Sequence, residues 1–197
     1  MQHCVSTYHP STMAANDLEG MFRLRFEVFH EKLGWDVETQ NGLEQDAFDA
    51  VPDVAYVLAK GAAGTVDGCW RILPTTGPYM LRDTFPELLH GLPAPNAADC
   101  HELSRFAVAT DRVETANANV GPISMALMRE SAAFAVANGI ARYVTVTTPV
   151  MERMLRQKGI HVHRIGPSMR IGIASAVALM IEVDHITLSA VGMQQLQ

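Results

Sequence analysis

Two hydrophobic periodicities organise this chain. Phe22, Phe26, Phe29 and Leu33 recur at three- and four-residue spacing, which predicts an amphipathic helix over residues 18–33 that ends at Gly34. Residues 35–52 have no clear period and carry several acidic groups, so they read as a loop. Two strands are predicted next, over residues 55–60 and 68–73, with Gly61, Gly64 and Asp67 supplying the turn of a β-hairpin. Residues 80–90 predict a short helix, and Pro93 and Pro95 lie in the loop leading to a strand over residues 102–109. Ile123, Leu127, Met128 and Phe134 mark a long helix that breaks near Asn138 and Gly139. The β-branched run over residues 143–148 predicts a central strand. A helix over residues 150–158, a strand near 161–165 and a last strand over 176–183 complete the pattern. There is no internal repeat, low-complexity segment or linker, so residues 1–197 are expected to form a single domain with an α/β architecture.

Composition narrows the class. At 197 residues and 48% hydrophobic content the chain is long and apolar enough for a real core. The longest strongly apolar stretch, residues 171–183, is too short and interrupted to span a bilayer, and no basic region followed by an apolar core opens the chain. A cytoplasmic protein without a membrane span is expected. Cys4, Cys69 and Cys100 are odd in number and lack metal-ligand spacing, as do the eight histidines. Reduced thiols and no bound metal follow.

A net charge of −6 argues against a general nucleic-acid binder. The distribution is uneven: 9 Lys/Arg against 18 Asp/Glu over residues 1–140 gives −9, and 6 against 3 over residues 141–197 gives +3. Arg153, Arg156 and Lys158 share one predicted helix, with His161, His163 and Arg164 just beyond it. Such a face suits an acidic partner, and reads equally as a solvated helix face.

Charged Arg71, Glu102 and Arg105 sit inside segments that otherwise read as buried strand, where an unpaired charge is costly. Glu102 is placed either to accept a proton or to pair with Arg71 or Arg105. Ser104 shares the Glu102 face by strand alternation, as a positioning or a structural hydroxyl. No Gly-x-Ser-x-Gly elbow surrounds Ser104 and no histidine is placed to activate it; Cys69 and Cys100 likewise lack partners, so no acyl-enzyme is expected.

Several blocks together carry a family resemblance. LRFEVFHEKLGWDV from residue 24, EQDAFDA from 44, GCWRILPTTGPYMLRDTFPE from 68, HELSRFAV from 101 and VTVTTPVMERML from 144 resemble the signature blocks of the acyl-homoserine-lactone synthases, the autoinducer synthases of bacterial quorum sensing. The resemblance implies a three-layer α/β/α sandwich with a mixed twisted sheet, related to the GNAT acyltransferase fold. It implies that an acyl-carrier-protein thioester and S-adenosylmethionine give an N-acyl-homoserine lactone, 5'-methylthioadenosine and free carrier protein, with no cofactor because S-adenosylmethionine is a substrate. No Gln/Arg-x-x-Gly-x-Gly/Ala pyrophosphate loop follows the strand ending near Ala109, which weakens an acyl-CoA reading.

On the matching positions the resemblance implies a catalytic set of Glu102, Ser104, Arg71 and Arg105, with Glu102 taking the amine proton directly or through water. Arg25, Phe29, Trp35, Asp46 and Asp49 would serve S-adenosylmethionine: aromatic faces for adenine and sulfonium, arginine for the carboxylate, acids in a charged cluster that equally holds the loop in place. Thr145 and Thr147, with Met125 and Met151, would line the pocket of a medium or long acyl chain, 3-oxo and 3-hydroxy groups included, although β-propensity and core packing explain the same residues. Arg153, Arg156 and Lys158 would dock the acidic carrier protein. The competing readings are a GNAT-like N-acyltransferase using acyl-CoA and another amine, and a non-catalytic sensor of acyl chains or S-adenosylmethionine.

Overall fold

A computed structural model describes residues 3–110 and 121–193. In chain order the main elements are β1 (Cys4–Tyr8), α1 (Ala15–Arg25), β2 (Thr39–Gln40), β3 (Leu43–Glu44), β4 (Ala55–Lys60), β5 (Val66–Pro74), α2 (Met80–Asp83), β6 (Cys100–Val108), α3 (Pro122–Ala137), β7 (Arg142–Thr147), α4 (Pro149–Gln157), β8 (Val162–Arg164), β9 (Met169–Ile171), β10 (Ala174–Glu182) and α5 (His185–Ala190).

Most departures from the expected elements have local causes. The first helix begins earlier than residue 18 and widens into a π-helix over Phe26–Lys32 before Gly34 takes a left-handed φ of 62°. The stretch read as loop holds the β2–β3 hairpin and a 3-10 turn over Ala47–Ala50. The helix expected over residues 80–90 is two pieces, α2 and a 3-10 turn over Pro86–Leu89, because Pro86 cannot donate to a continuing helix. β1, β9 and α5 were not expected. The segment after β6, where a pyrophosphate loop would fall, lies outside the described residues.

The chain divides into two compact units. The first comprises Met1–Ile72 and Arg105–Glu130. Its strands run β1-β4-β5 and then the end of β6. β1 lies antiparallel to β4 from Cys4 opposite Lys60 to Tyr8 opposite Tyr56, and β4 lies antiparallel to β5. Five of the six β4 residues are buried, so this strand is core on both faces. Gly68 of β5 lets α3 approach: a Cβ there would lie 2.8 Å from Ile123 Cγ2 and 3.1 Å from Leu127 Cδ1.

The second unit comprises Leu73–Ser104 and Ser131–Gln197. Here the start of β6 pairs in parallel with β7, and β10 pairs antiparallel with β7, β8 and β9. The sheet is therefore mixed, in agreement with the α/β expectation. Tyr143, Val144, Val177, Leu179 and Ile181 form its core, with Met154 and Leu155 of α4 buried as well. Full burial of each such side chain contributes about 1.5–3 kcal/mol. No helix among the described residues is long and apolar enough to cross a membrane.

Candidate functional site

In the first unit five segments deliver charge to one place. α1 brings Arg25, the β2–β3 hairpin Glu44, the 3-10 turn Asp46 and Asp49, β5 Arg71 and β6 Arg105. The turn forms because Asp46 accepts from Phe48 N and Asp49 accepts from Asp46 N, both at 2.9 Å, a reciprocal cap. Arg25 donates through Nη1 and Nη2 to Asp49 at 2.8 and 2.9 Å and through Nε to Glu44. Arg71 reaches Asp46 Oδ1 at 2.5 Å and Asp49 Oδ1 at 2.8 Å. Arg105 reaches Glu44 Oε1 at 3.0 Å and Asp46 Oδ2 at 2.8 Å. Tyr56 of β4 donates to Asp49 Oδ1 at 2.7 Å.

Three guanidiniums thus meet three carboxylates, and charge balances. Arg25, Arg71 and Glu44 have no solvent exposure, which is tolerable only because each charge is paired and hydrogen-bonded. Burial alone would push the Asp49 carboxyl up, but Arg25, Arg71 and the Asp46 N–H outweigh it and hold Asp49 well below the usual carboxylate range. Burial pulls the Arg25 guanidinium down, and Asp49 and Glu44 more than restore it. Arg25, read from sequence as a partner for a substrate carboxylate, has its charge met by Glu44 and Asp49.

Aromatic rings cover this cluster. Phe29 is buried and stacks on half-buried Trp35, with centroids 5.4 Å apart and planes at 8°. The Arg105 guanidinium lies 5.5 Å from the Phe29 centroid, and Arg71 lies 5.6 Å from that of Phe48. Arg105 adopts a left-handed φ of 57° inside β6. For a bulky residue this strain costs about 1–3 kcal/mol, and the bonds to Glu44 and Asp46 offset it.

In the second unit Glu102 of β6 is 1% exposed. Its carboxylate accepts from Met80 N at 2.9 Å and Leu81 N at 2.7 Å, anchoring the first turn of α2. Tyr79 beside it donates its hydroxyl to Pro95 O at 2.6 Å. Half-buried Ser104 lies two residues along the same strand. Thr145 is buried opposite Leu103 of β6 and Leu179 of β10, and half-buried Thr147 lies opposite Val177. Met151 of α4 is half-buried; Met125, also half-buried, belongs to α3 in the first unit.

Arg153, Arg156 and Lys158 are exposed on and just after α4. Arg156 is not isolated: Nε donates to Glu152 at 3.0 Å. Glu152 also accepts from Arg164 of β8 at 2.6–2.9 Å, and these donors, Arg164 foremost, draw its carboxyl below the usual range. Among the described residues no group of three or more His, Cys, Asp or Glu is arranged to hold a metal ion.

Sequence reasoning missed Glu44, Tyr56 and Glu152 as members of these clusters. One signal for Glu44 was available: three arginines on apolar segments call for three acids, and Asp46 and Asp49 are only two.

Comparison with known proteins bears on both units. The family model described as autoinducer synthase matches residues 9–191. The acyl-homoserine-lactone synthase of Pseudomonas aeruginosa is 43% identical over 168 residues, 85% of this chain and 83% of that protein. The crystal structure of the AHL synthase LasI matches with a TM-score of 0.89 and 40% identity, over 97% of this chain and 95% of that one. BjaI, a CoA-dependent acyl-homoserine lactone synthase solved with SAM and isopentyl-CoA, matches with a TM-score of 0.85 and 25% identity, over 96% of this chain and 88% of that one. The mixed α/β sheet is consistent with the GNAT-like fold expected from the sequence blocks.

Proposed function

The chain belongs to the autoinducer synthase family, whose members here are acyl-homoserine-lactone synthases and thus acyltransferases, and on that premise we propose that it joins S-adenosylmethionine to an acyl group delivered as an acyl-carrier-protein thioester. The observation that carries the reading is the balanced Arg25–Arg71–Arg105 cluster beneath the Phe29–Trp35 stack, which lies within the sequence blocks that match the family. A rigid indole face suits adenine and a sulfonium cation.

The neutral α-amine attacks the thioester carbonyl carbon, and the carbon–sulfur bond to the carrier thiol breaks as the amide forms. One proton leaves the nitrogen and one is returned to the departing thiolate. Glu102 takes the first through a water, since its carboxylate is buried and two of its acceptor sites hold Met80 N and Leu81 N. Ser104 orients that water. The carboxylate then attacks its own γ-carbon, the bond to the sulfonium breaks, and the lactone and neutral 5'-methylthioadenosine leave. Closure needs mainly orientation, because nucleophile and leaving group are in one molecule. S-adenosylmethionine is consumed, so no resident cofactor is required. Thr145, Thr147, Met125 and Met151 serve a medium or long acyl chain, and Arg153, Arg156 and Lys158 serve the carrier protein.

A second reading takes acyl-CoA as donor, favoured by the likeness to CoA-dependent BjaI. Mass spectrometry of products from S-adenosylmethionine with a panel of acyl-carrier-protein and acyl-CoA donors tests both. A lactone plus methylthioadenosine names donor and chain; no lactone from any donor with folded protein refutes the reading. Glu102→Gln is expected to lower turnover by about 100-fold, in line with loss of a proton acceptor.

A further inference from the structure

The second unit contains a buried acid that the chemistry above does not use. Glu152 is 5% exposed, yet it sits on the helix with the greatest local excess of basic groups. Its carboxylate takes Arg156 from the next turn of α4 and, through both oxygens, Arg164 from β8. The two guanidinium side chains stay 49% and 43% exposed. Arg156 spends only its Nε–H on Glu152, and Arg164 its Nε–H and one N–H of Nη2, so four of the five N–H donors of Arg156 and three of the five of Arg164 are left for a partner. Arg153 and Lys158 carry no ion pair among the described residues. Val150, 71% exposed, lies one turn before Arg153 and Met154. Four cations against one acid give this patch +3 on a chain of −6.

We propose that Glu152 is a positioning residue that fixes Arg156 and Arg164 as a preformed fork for the acidic surface of the acyl-carrier protein, with Arg164 a docking residue supplied from β8. The proposal deepens the donor reading above and rests on it. The occupant follows from charge complementarity: a fork of half-exposed guanidiniums flanked by one apolar side chain fits an acidic helix, whose carboxylates accept in the bidentate geometry that guanidinium offers. Fixing the arginines before encounter removes ordering cost from binding, which is what a buried acid adds to a surface that is already basic.

This gives a test by sign. If net charge alone governed docking, Glu152→Gln would make the patch more positive and lower the KM for acyl-carrier protein. If Glu152 positions the fork, the same substitution raises it. We expect Glu152→Gln and Arg164→Ala each to raise that KM about fivefold, the size expected when one partner of a charged contact is disturbed. Arg164→Lys, which keeps the charge and loses the fork, raises it as well, and decides the matter should Glu152→Gln fail to fold. The KM for S-adenosylmethionine stays within twofold in all three. Arg23→Ala, which removes one surface charge from α1, leaves the KM for carrier protein unmoved. An unchanged or lowered KM in Glu152→Gln, or an unchanged one in Arg164→Ala or Arg164→Lys, overturns the proposal. A wild-type enzyme that makes lactone only from acyl-CoA overturns the donor reading instead, whereas lactone from carrier protein with unmoved KM values overturns this inference alone.

Discussion

Asp49 is the most heavily used acceptor of the first unit's cluster, and replacing it with asparagine tests whether that cluster holds the unit together. Its two oxygens accept five hydrogen bonds: two from Arg25, one each from Arg71, the Tyr56 hydroxyl and the Asp46 N–H. Asparagine fills the same space but turns one oxygen into a donor facing donors. Either orientation loses at least two of the five bonds and leaves three guanidiniums, two of them fully buried, against two carboxylates. Breaking a buried pair in this way costs about 3–5 kcal/mol. For a chain of this length that is about 6–20 °C in Tm. The pH dependence sharpens the test. The folded Asp49 carboxyl is held well below its ordinary value, so its contribution is complete above about pH 4 and is lost as pH falls from there toward the folded value. Urea unfolding of wild type and Asp49→Asn should therefore differ by a constant amount from pH 7 to pH 5 and converge below about pH 4. A difference under about 1 kcal/mol at pH 7, or one that shrinks between pH 7 and pH 5, would refute the reasoning.

Two further substitutions probe the frame. Gly68→Ala drives a Cβ to 2.8 Å from Ile123 Cγ2, and overpacking of this kind costs about 1–3 kcal/mol by denaturant unfolding; a change under about 0.5 kcal/mol would mean that α3 gives way freely. Asp184→Ala removes the cap that accepts from Ile186 N and Thr187 N at 3.0 Å and the 2.6 Å contact with His161 Nδ1, for a loss of about 1–2 kcal/mol; Asp184→Asn should recover most of it, and equal losses in both would place the effect in the His161 contact instead.

Local pattern was enough for the elements with a strong local cause. β4 occupies the expected residues because its apolar run is bounded by turn chemistry, and α3, β7 and α4 fall within two residues of expectation for the same reason. β1 leaves little trace in the sequence because its five residues include no buried side chain, so alternation is faint. The short α5 depends on the Asp184 cap rather than on a long apolar period. The π-helical widening after Arg25 leaves no mark in residue spacing, since it is a property of the hydrogen bonds that follow, such as Leu33 N to Val28 O at 3.0 Å.

The family blocks, the α/β class and the presence of Arg71, Glu102 and Arg105 inside strands could all be read along the chain, because residue type and short-range period report what a segment must bury. The resemblance also grouped Asp46 and Asp49 with Arg71 and Arg105 in one charged cluster, but the remaining partners and the individual pairings could not be read. Arg25 meets acids 19 and 24 residues away, Arg105 one 61 residues away, and Glu102 accepts from the backbone of Met80 and Leu81, 22 and 21 residues away. Pairing between distant segments is set by where the backbone has already placed them, and the low dielectric of the interior then selects, among the charges within reach, the arrangement that leaves none unpaired.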